Sequence, residues 1–159
     1  ERISFYEKLC RSHGALLFED YEEVKGWMDW LMDTLDSMER PKCLCHIDAN
    51  VDNFLFFEDG SVKLLDWEYA GMCDPVMDVS MCAIYSYYNE EDMERLFRLY
   101  LRREPSEDEL FALYANAALG GFLWCLWAVY KSILGDEFGE YTIIMYRYAK
   151  KYYRKLRKL

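Results

Sequence analysis

None of the eight glycines falls in a G-x-G-x-x-G run, so no glycine-rich phosphate loop is written into this chain. None of the six cysteines (Cys10, Cys43, Cys45, Cys73, Cys82, Cys125) forms a C-x-x-C pair, and only His13 and His46 are present to complete a zinc site. Thiols in apolar settings, such as Cys82 and Cys125, read as small core residues, and the expected compartment is reducing, hence cytoplasmic. The longest apolar run, Ala117 to Val129, is too short to span a bilayer, and no signal peptide is visible. Internal repeats and low-complexity segments are absent. The first residue is Glu1 rather than Met, so the chain is expected to begin inside a longer protein.

What is present is a chain of 159 residues, 53% hydrophobic and 18% aromatic, enough for one domain with a sizeable core and too apolar for disorder. The formal net charge of −10 is unevenly placed. Residues 147–158 carry Arg147, Lys150, Lys151, Arg154, Lys155, Arg157 and Lys158 and no acid, which leaves 12 basic against 29 acidic residues elsewhere, a balance of −17. Such a body repels nucleic acid and attracts cations. The basic tail reads as a solvated last helix favoured by its own dipole.

Periodicity sketches a helical chain. Arg2 to His13 reads as a helix with Gly14 as its C-cap, and Tyr21 to Met38 as a second, with Val24, Trp27, Met28, Leu31, Met32 and Leu35 at helical spacing. Lys42 to Asn53 shows no period. Phe54 to Phe57 and Val62 to Leu65 flank Glu58-Asp59-Gly60-Ser61, a hairpin signal. Beyond Asp74-Pro75 four helices are expected: Val76 to Tyr88, one capped by Asn89 and running to Arg103, one opened by Ser106 and Glu109 in capping-box spacing and running to about Leu134, and a last over roughly Asp136 to Lys155. The expected fold class is mainly α with a small β-hairpin.

The unperiodic segment carries the chemistry. His46-Ile47-Asp48 is followed five residues after Asp48 by Asn53, and thirteen residues beyond Asn53 by Asp66-Trp67-Glu68, just past the second hairpin strand. Kinases use this order of H-x-D-x-x-x-x-N, hairpin and a metal-binding Asp. One carboxylate must orient the acceptor hydroxyl and take its proton. An amide oxygen and a second carboxylate must hold Mg²⁺ against the phosphates of ATP. A loop and a strand end joined by a hairpin can bring all three to one cleft.

Over His46 to Asp78 the chain resembles the choline kinase and aminoglycoside phosphotransferase superfamily, whose C-terminal lobe is the mostly helical lobe of the protein-kinase-like fold. The resemblance implies Asp48 as catalytic base, His46 as a structural member of the catalytic loop, Asn53 and Asp66 as Mg²⁺ ligands, and Asp78 as a brace for the loop. Asp66-Trp67-Glu68-Tyr69 resembles the D-[FW]-E-Y segment of choline and ethanolamine kinases. Phe122 to Tyr141, with Trp124, Trp127 and Glu137-Phe138-Gly139, resembles their W-x-L-W…E-F-G segment. The resemblance covers about the last two-thirds of the chain.

The chemistry agrees with that family. A quaternary ammonium has no N–H to donate, so aromatic faces recognise it instead, and choline is the standard instance of that mode. Trp124, Trp127 and Tyr69 are expected to line the cage, with Glu68 adding negative potential. Eukaryotic choline kinases carry a Glu seven residues beyond the helix Asp, where this chain has Tyr85, and a Tyr near the position of Ile143, with Tyr141 close by. Tyr85, Tyr87 and Tyr88 are candidate replacements, and the pattern suits a bacterial branch.

The implied reaction is ATP-dependent phosphorylation of choline, or of a related small cationic alcohol. With no glycine-rich loop and no β-rich segment before residue 42, residues 1–159 are expected to be the C-terminal lobe alone, the nucleotide-binding N-terminal lobe lying outside this chain and the isolated piece inactive. Two other readings stay open. One is an aminoglycoside-type phosphotransferase, disfavoured by the basic run Arg154 to Lys158. The other is a non-catalytic lobe that binds a quaternary amine.

Overall fold

A computed structural model describes residues 2–15 and 18–158. Leu159, at the end of the basic tail, lies outside the described residues. The chain forms two compact units, residues 1–37 with 118–159, and residues 38–117.

The first unit is helical. Helix α1 (Arg2–Ser12) buries Ile3 and Cys10, and α2 (Tyr21–Ser37) buries Tyr21, Val24, Met28 and Leu31. The chain leaves α1 as the sequence suggests. Gly14 has φ +71°, Gly14 N–H donates to Arg11 O and Ala15 N–H to Cys10 O, the paired bonds of a Schellman cap. The C-terminal part of helix α5 (Glu107–Ile133) and helix α6 (Tyr141–Leu156) complete the unit. Phe122, Cys125, Leu126, Met145, Ala149 and Tyr152 fill its core, with Tyr21 stacked on Phe122 at 5.5 Å. Asp20 accepts hydrogen bonds from Tyr146 and Lys150, and the Lys150 ammonium holds its carboxyl below the usual range.

The second unit carries both sheets. Strands β2 (Phe54–Phe56) and β3 (Val62–Leu64) form the expected hairpin, paired Phe54 to Leu64 and Phe56 to Val62. Gly60 takes φ +80° in its turn and the Asp59 carboxylate accepts from Ser61 N–H. Strands β1 (Cys43–Cys45) and β4 (Gly71–Cys73) make a second antiparallel pair that the sequence does not signal. Helices α3 (Val76–Tyr85) and α4 (Glu90–Leu101) and the start of α5 supply the core residues Val76, Met81, Ile84, Met93, Phe97, Leu113 and Tyr114.

Three helix boundaries differ from expectation by two or more residues, for local reasons. Helix α3 stops at Tyr85 rather than Tyr88, with Tyr87 at φ 54°. Helix α4 stops at Leu101, closed by Arg102 in the left-handed region with its N–H on Arg98 O. Helix α6 starts at Tyr141 instead of Asp136, because Gly135 (φ +103°) and Gly139 (φ +53°) hold the connection in conformations a helix cannot adopt. Helix α5 as a whole, at 27 residues, is long and apolar enough to cross a bilayer, although the run Ala117 to Val129 is not. In this structure 78% of its most apolar window is buried inside the protein, as in the core helix of a soluble fold.

Candidate active site

The loop between β1 and β2 begins where β1 leaves its sheet. His46 N–H and Ile47 N–H both donate to the carboxylate of Asp78 on α3, at 2.9 and 2.7 Å. Ile47 sits at φ 70°, a conformation that β-branched residues avoid, so the loop carries local strain that these two charged hydrogen bonds hold in place. The His46 side chain is fully buried. Its Nε2 lies 2.6 Å from Leu65 O, so the ring carries its proton on Nε2 and donates there. The same ring meets Trp67 edge-on at 4.9 Å. His46 thus grips both neighbours of Asp66 and faces no solvent.

Asp48, one residue past the strained peptide, is half-buried. Asn53 Nδ2 donates to the Asp48 carbonyl at 3.0 Å and to its carboxylate Oδ2 at 3.3 Å. The short turn Val51–Asn53, entered at Asn50, brings Asn53 back over Asp48, with Asn53 N–H on Asn50 O. Leu65 N–H then donates to Asn53 O at 2.9 Å, which ties the end of the hairpin to the same loop. Asp66, next along, stands exposed at φ 60°, a conformation Asp tolerates better than most residues. The structure therefore brings Asp48 and Asn53 together directly and anchors both neighbours of Asp66, Leu65 to Asn53 and His46 and Trp67 to His46.

This donor set suits a hard cation. Asn53 commits its amide nitrogen to Asp48, which leaves its Oδ1 available as an oxygen ligand. Among the described residues no group of three or more His, Cys, Asp or Glu converges as a metal cage. A Mg²⁺ held by one carboxylate and one amide would take the remainder of its shell from phosphates and water.

The four residues expected on the acceptor side divide between the two units. Glu68 and Tyr69 lie in the second unit, in the turn that follows Asp66, with Glu68 exposed and Tyr69 half-buried. Trp124 and Trp127 lie in the first unit on α5, packed edge to face at 5.6 Å and 79°. Trp124 is buried at 4% exposure, whereas Trp127 is half-buried, so Trp127 offers the more accessible ring.

Two neighbours of Trp127 were not among the expected cage residues. Phe138 meets it edge-on at 5.0 Å, and Lys131 Nζ lies 6.0 Å from its ring centroid. Lys131 follows Trp127 by one helical turn, a spacing legible in sequence. Phe138 reaches it through the two-glycine connection, which sequence spacing does not resolve. Beside them is an open depression of about 460 Å³ whose lining includes Ser132, Asp136, Glu137, Phe138 and Thr142.

Comparison with known proteins follows the same lines. The sequence model of a phosphotransferase enzyme family (APH) matches residues 4–114. The protein LicA of Haemophilus influenzae is 27% identical over 149 residues, which is 89% of this chain and 40% of LicA. Mouse ethanolamine kinase 1 is 26% identical, covering 77% of this chain and 42% of that protein. Among solved structures, choline kinase LicA from Streptococcus pneumoniae superposes with a TM-score of 0.82 at 28% identity, over 97% of this chain and 54% of that one. A structure of LicA in complex with AMP superposes at 0.83 and 27% identity, over 98% of this chain and 53% of that one. The chain thus spans about half the length of the relatives it matches.

Proposed function

Because the chain belongs to the phosphotransferase enzyme family, we propose that it forms the catalytic lobe of a small-molecule kinase that transfers the γ-phosphoryl group of ATP to the hydroxyl of choline. The observation that carries this reading is the double hydrogen bond from Asn53 Nδ2 to the carbonyl and carboxylate of Asp48. It fixes a carboxylate next to an amide oxygen, which is the pairing that phosphoryl transfer needs between its base and its metal ligand. Asp48 orients the acceptor hydroxyl and takes its proton. Asn53 Oδ1 and Asp66 would hold Mg²⁺, which when bound neutralises charge on the phosphates. His46 positions the segment that bears Asp66. The AMP complex of LicA supports nucleotide binding in this fold. All six cysteines are free, which supports a reducing, cytoplasmic setting.

Choline is the proposed acceptor because Trp127, with Trp124 behind it, offers aromatic surface to a cation that cannot donate a hydrogen bond. Glu68 and Tyr69 are kept as further acceptor contacts. Ethanolamine is the second reading, favoured by the similarity to mouse ethanolamine kinase 1.

The test is turnover of ATP with choline by a protein containing this chain and the half its relatives add. Asp48→Ala should reduce kcat by at least about 1,000-fold, the loss of base and positioning together, with choline KM nearly unchanged. Trp127→Ala should raise choline KM about tenfold with little change in melting temperature. Trp124→Ala should instead lower stability by about 3–5 kcal/mol, because its ring is buried. Full activity of the Asp48→Ala protein would remove the catalytic assignment. Unchanged choline KM in a folded Trp127→Ala protein would remove the aromatic one.

A further inference from the structure

The ring that best suits an incoming ammonium already has one beside it. Lys131 Nζ lies 6.0 Å from the Trp127 centroid and 3.2 Å from Asp136 Oδ2, in the connection between α5 and α6. Both members of this pair are solvent-accessible, with side-chain exposures of 37% and 51%, so neither is locked in a core. Trp124 and Phe138 meet Trp127 at steep angles of 79° and 64°.

The two candidate acceptors meet this arrangement differently. A primary ammonium carries three N–H donors and gains most from a carboxylate, and Asp136 is the carboxylate that holds Lys131, the cation near the Trp127 ring. Lys131 already occupies that carboxylate with a primary ammonium of its own. A quaternary ammonium has no donor, cannot use Asp136 as a hydrogen-bond partner, and draws its affinity from ring faces and methyl contacts. The Lys131–Asp136 pair therefore withdraws a partner from one acceptor class and nothing comparable from the other.

We propose that Lys131, held by Asp136 beside Trp127, is a specificity-determining residue that biases the enzyme toward quaternary over primary ammonium alcohols. This rests on the acceptor reading given above. It adds a residue that does not itself bind the acceptor but withholds a carboxylate from one class of it.

The experiment is kcat/KM for choline and for ethanolamine, measured with ATP in the full-length enzyme. Lys131→Met should raise kcat/KM for ethanolamine about fivefold, the scale of one exposed ion pair, and leave choline within about twofold. Lys131→Arg should keep the original ratio. Adding Asp136→Asn to Lys131→Met should abolish the gain, because the freed carboxylate is what ethanolamine would use. Lys131→Gln serves as a second neutral variant should the methionine perturb folding. A choline-to-ethanolamine ratio unchanged by both neutral variants overturns the inference while leaving the acceptor reading intact, as does a gain that persists in the double variant. A wild-type enzyme that uses neither amine overturns the acceptor reading and this inference with it.

Discussion

Asp78 directs both carboxylate oxygens at the main chain of the loop that bears His46 and Asp48, accepting from His46 N–H and Ile47 N–H. Those two donors would otherwise point into a part-buried site with no partner, at a cost of about 1–3 kcal/mol for each unsatisfied group. They also hold Ile47 at φ 70°, where an L-residue sits about 1–2 kcal/mol above its usual conformations. Asp78→Ala should therefore lower stability by about 2–3 kcal/mol and turnover by more than tenfold, with Asp78→Asn milder on both counts because one amide oxygen remains. Urea midpoints and kcat on the same proteins check this, and an Asp78→Ala protein of unchanged midpoint would show that the loop holds its own shape. At this scale the sequence was partly legible. The spacing of His46, Asp48, Asn53 and Asp66 stands out because chemistry demands those residue types. The backbone of Ile47 was not readable, because a β-branched residue signals extended chain and gives no hint of a left-handed turn.

Helix ends were legible where a side chain marks them and obscure where only backbone does. Ser106 and Glu109 form the expected capping box, with Ser106 N–H on Glu109 Oε2 at 2.8 Å and Glu109 N–H on Ser106 Oγ at 3.2 Å, and Asn89 caps α4 through Asp92 N–H. Strands β1 and β4 were invisible, since three residues are too few for a period and their pairing depends on a contact between Cys43 and Cys73 across the whole segment between them. The capping box also predicts a pH dependence. Arg103, followed by Ser106 N–H, holds Glu109 down at about 2, below the unfolded carboxyl near 4.3. A lowered folded pKa stabilises above the unfolded value and is lost as pH falls through the folded one. Glu109→Gln should accordingly cost about 1 kcal/mol at pH 7, and the gap to wild type should close between about pH 5 and pH 2 in thermal melts. A gap that stays constant over that range would mean the charge is not what caps α5. Glycines in helix interiors divide sharply. A Cβ on Gly121 of α5 would come within 2.6 Å of Met145 O and 3.0 Å of Tyr148 Cβ on α6, whereas one on Gly26 of α2 meets nothing within 4 Å. Gly121→Ala should lose about 2–3 kcal/mol by forcing two helix backbones apart, and Gly26→Ala should gain about 0.5–1 kcal/mol.

Over the whole molecule the decisive quantities are coverage and charge. The chain accounts for 54% of the choline kinase LicA structure and 40% of the Haemophilus protein, yet it superposes on the former over 97% of its own length. Each of its two units has a core of its own, and the chain should fold by itself. Phosphoryl transfer needs donors that cradle the β- and γ-phosphates, supplied in such kinases by a glycine-rich loop and a strand lysine. No G-x-G-x-x-G run occurs in these 159 residues. The body outside residues 147–158 carries a balance of −17, a charge that would favour a cationic acceptor and oppose a polyanionic nucleotide. We therefore expect this chain alone to melt cooperatively and to bind millimolar choline weakly, read as a change in tryptophan fluorescence that equal NaCl does not reproduce. It should show no phosphocholine formation with ATP and Mg²⁺. The protein extended by the half its relatives possess should gain turnover by several orders of magnitude, with choline affinity altered far less. Phosphocholine production by the 159-residue chain at the rate of the longer protein would mean that nucleotide is held by residues of this lobe, and the division of labour inferred from coverage and motif would be wrong.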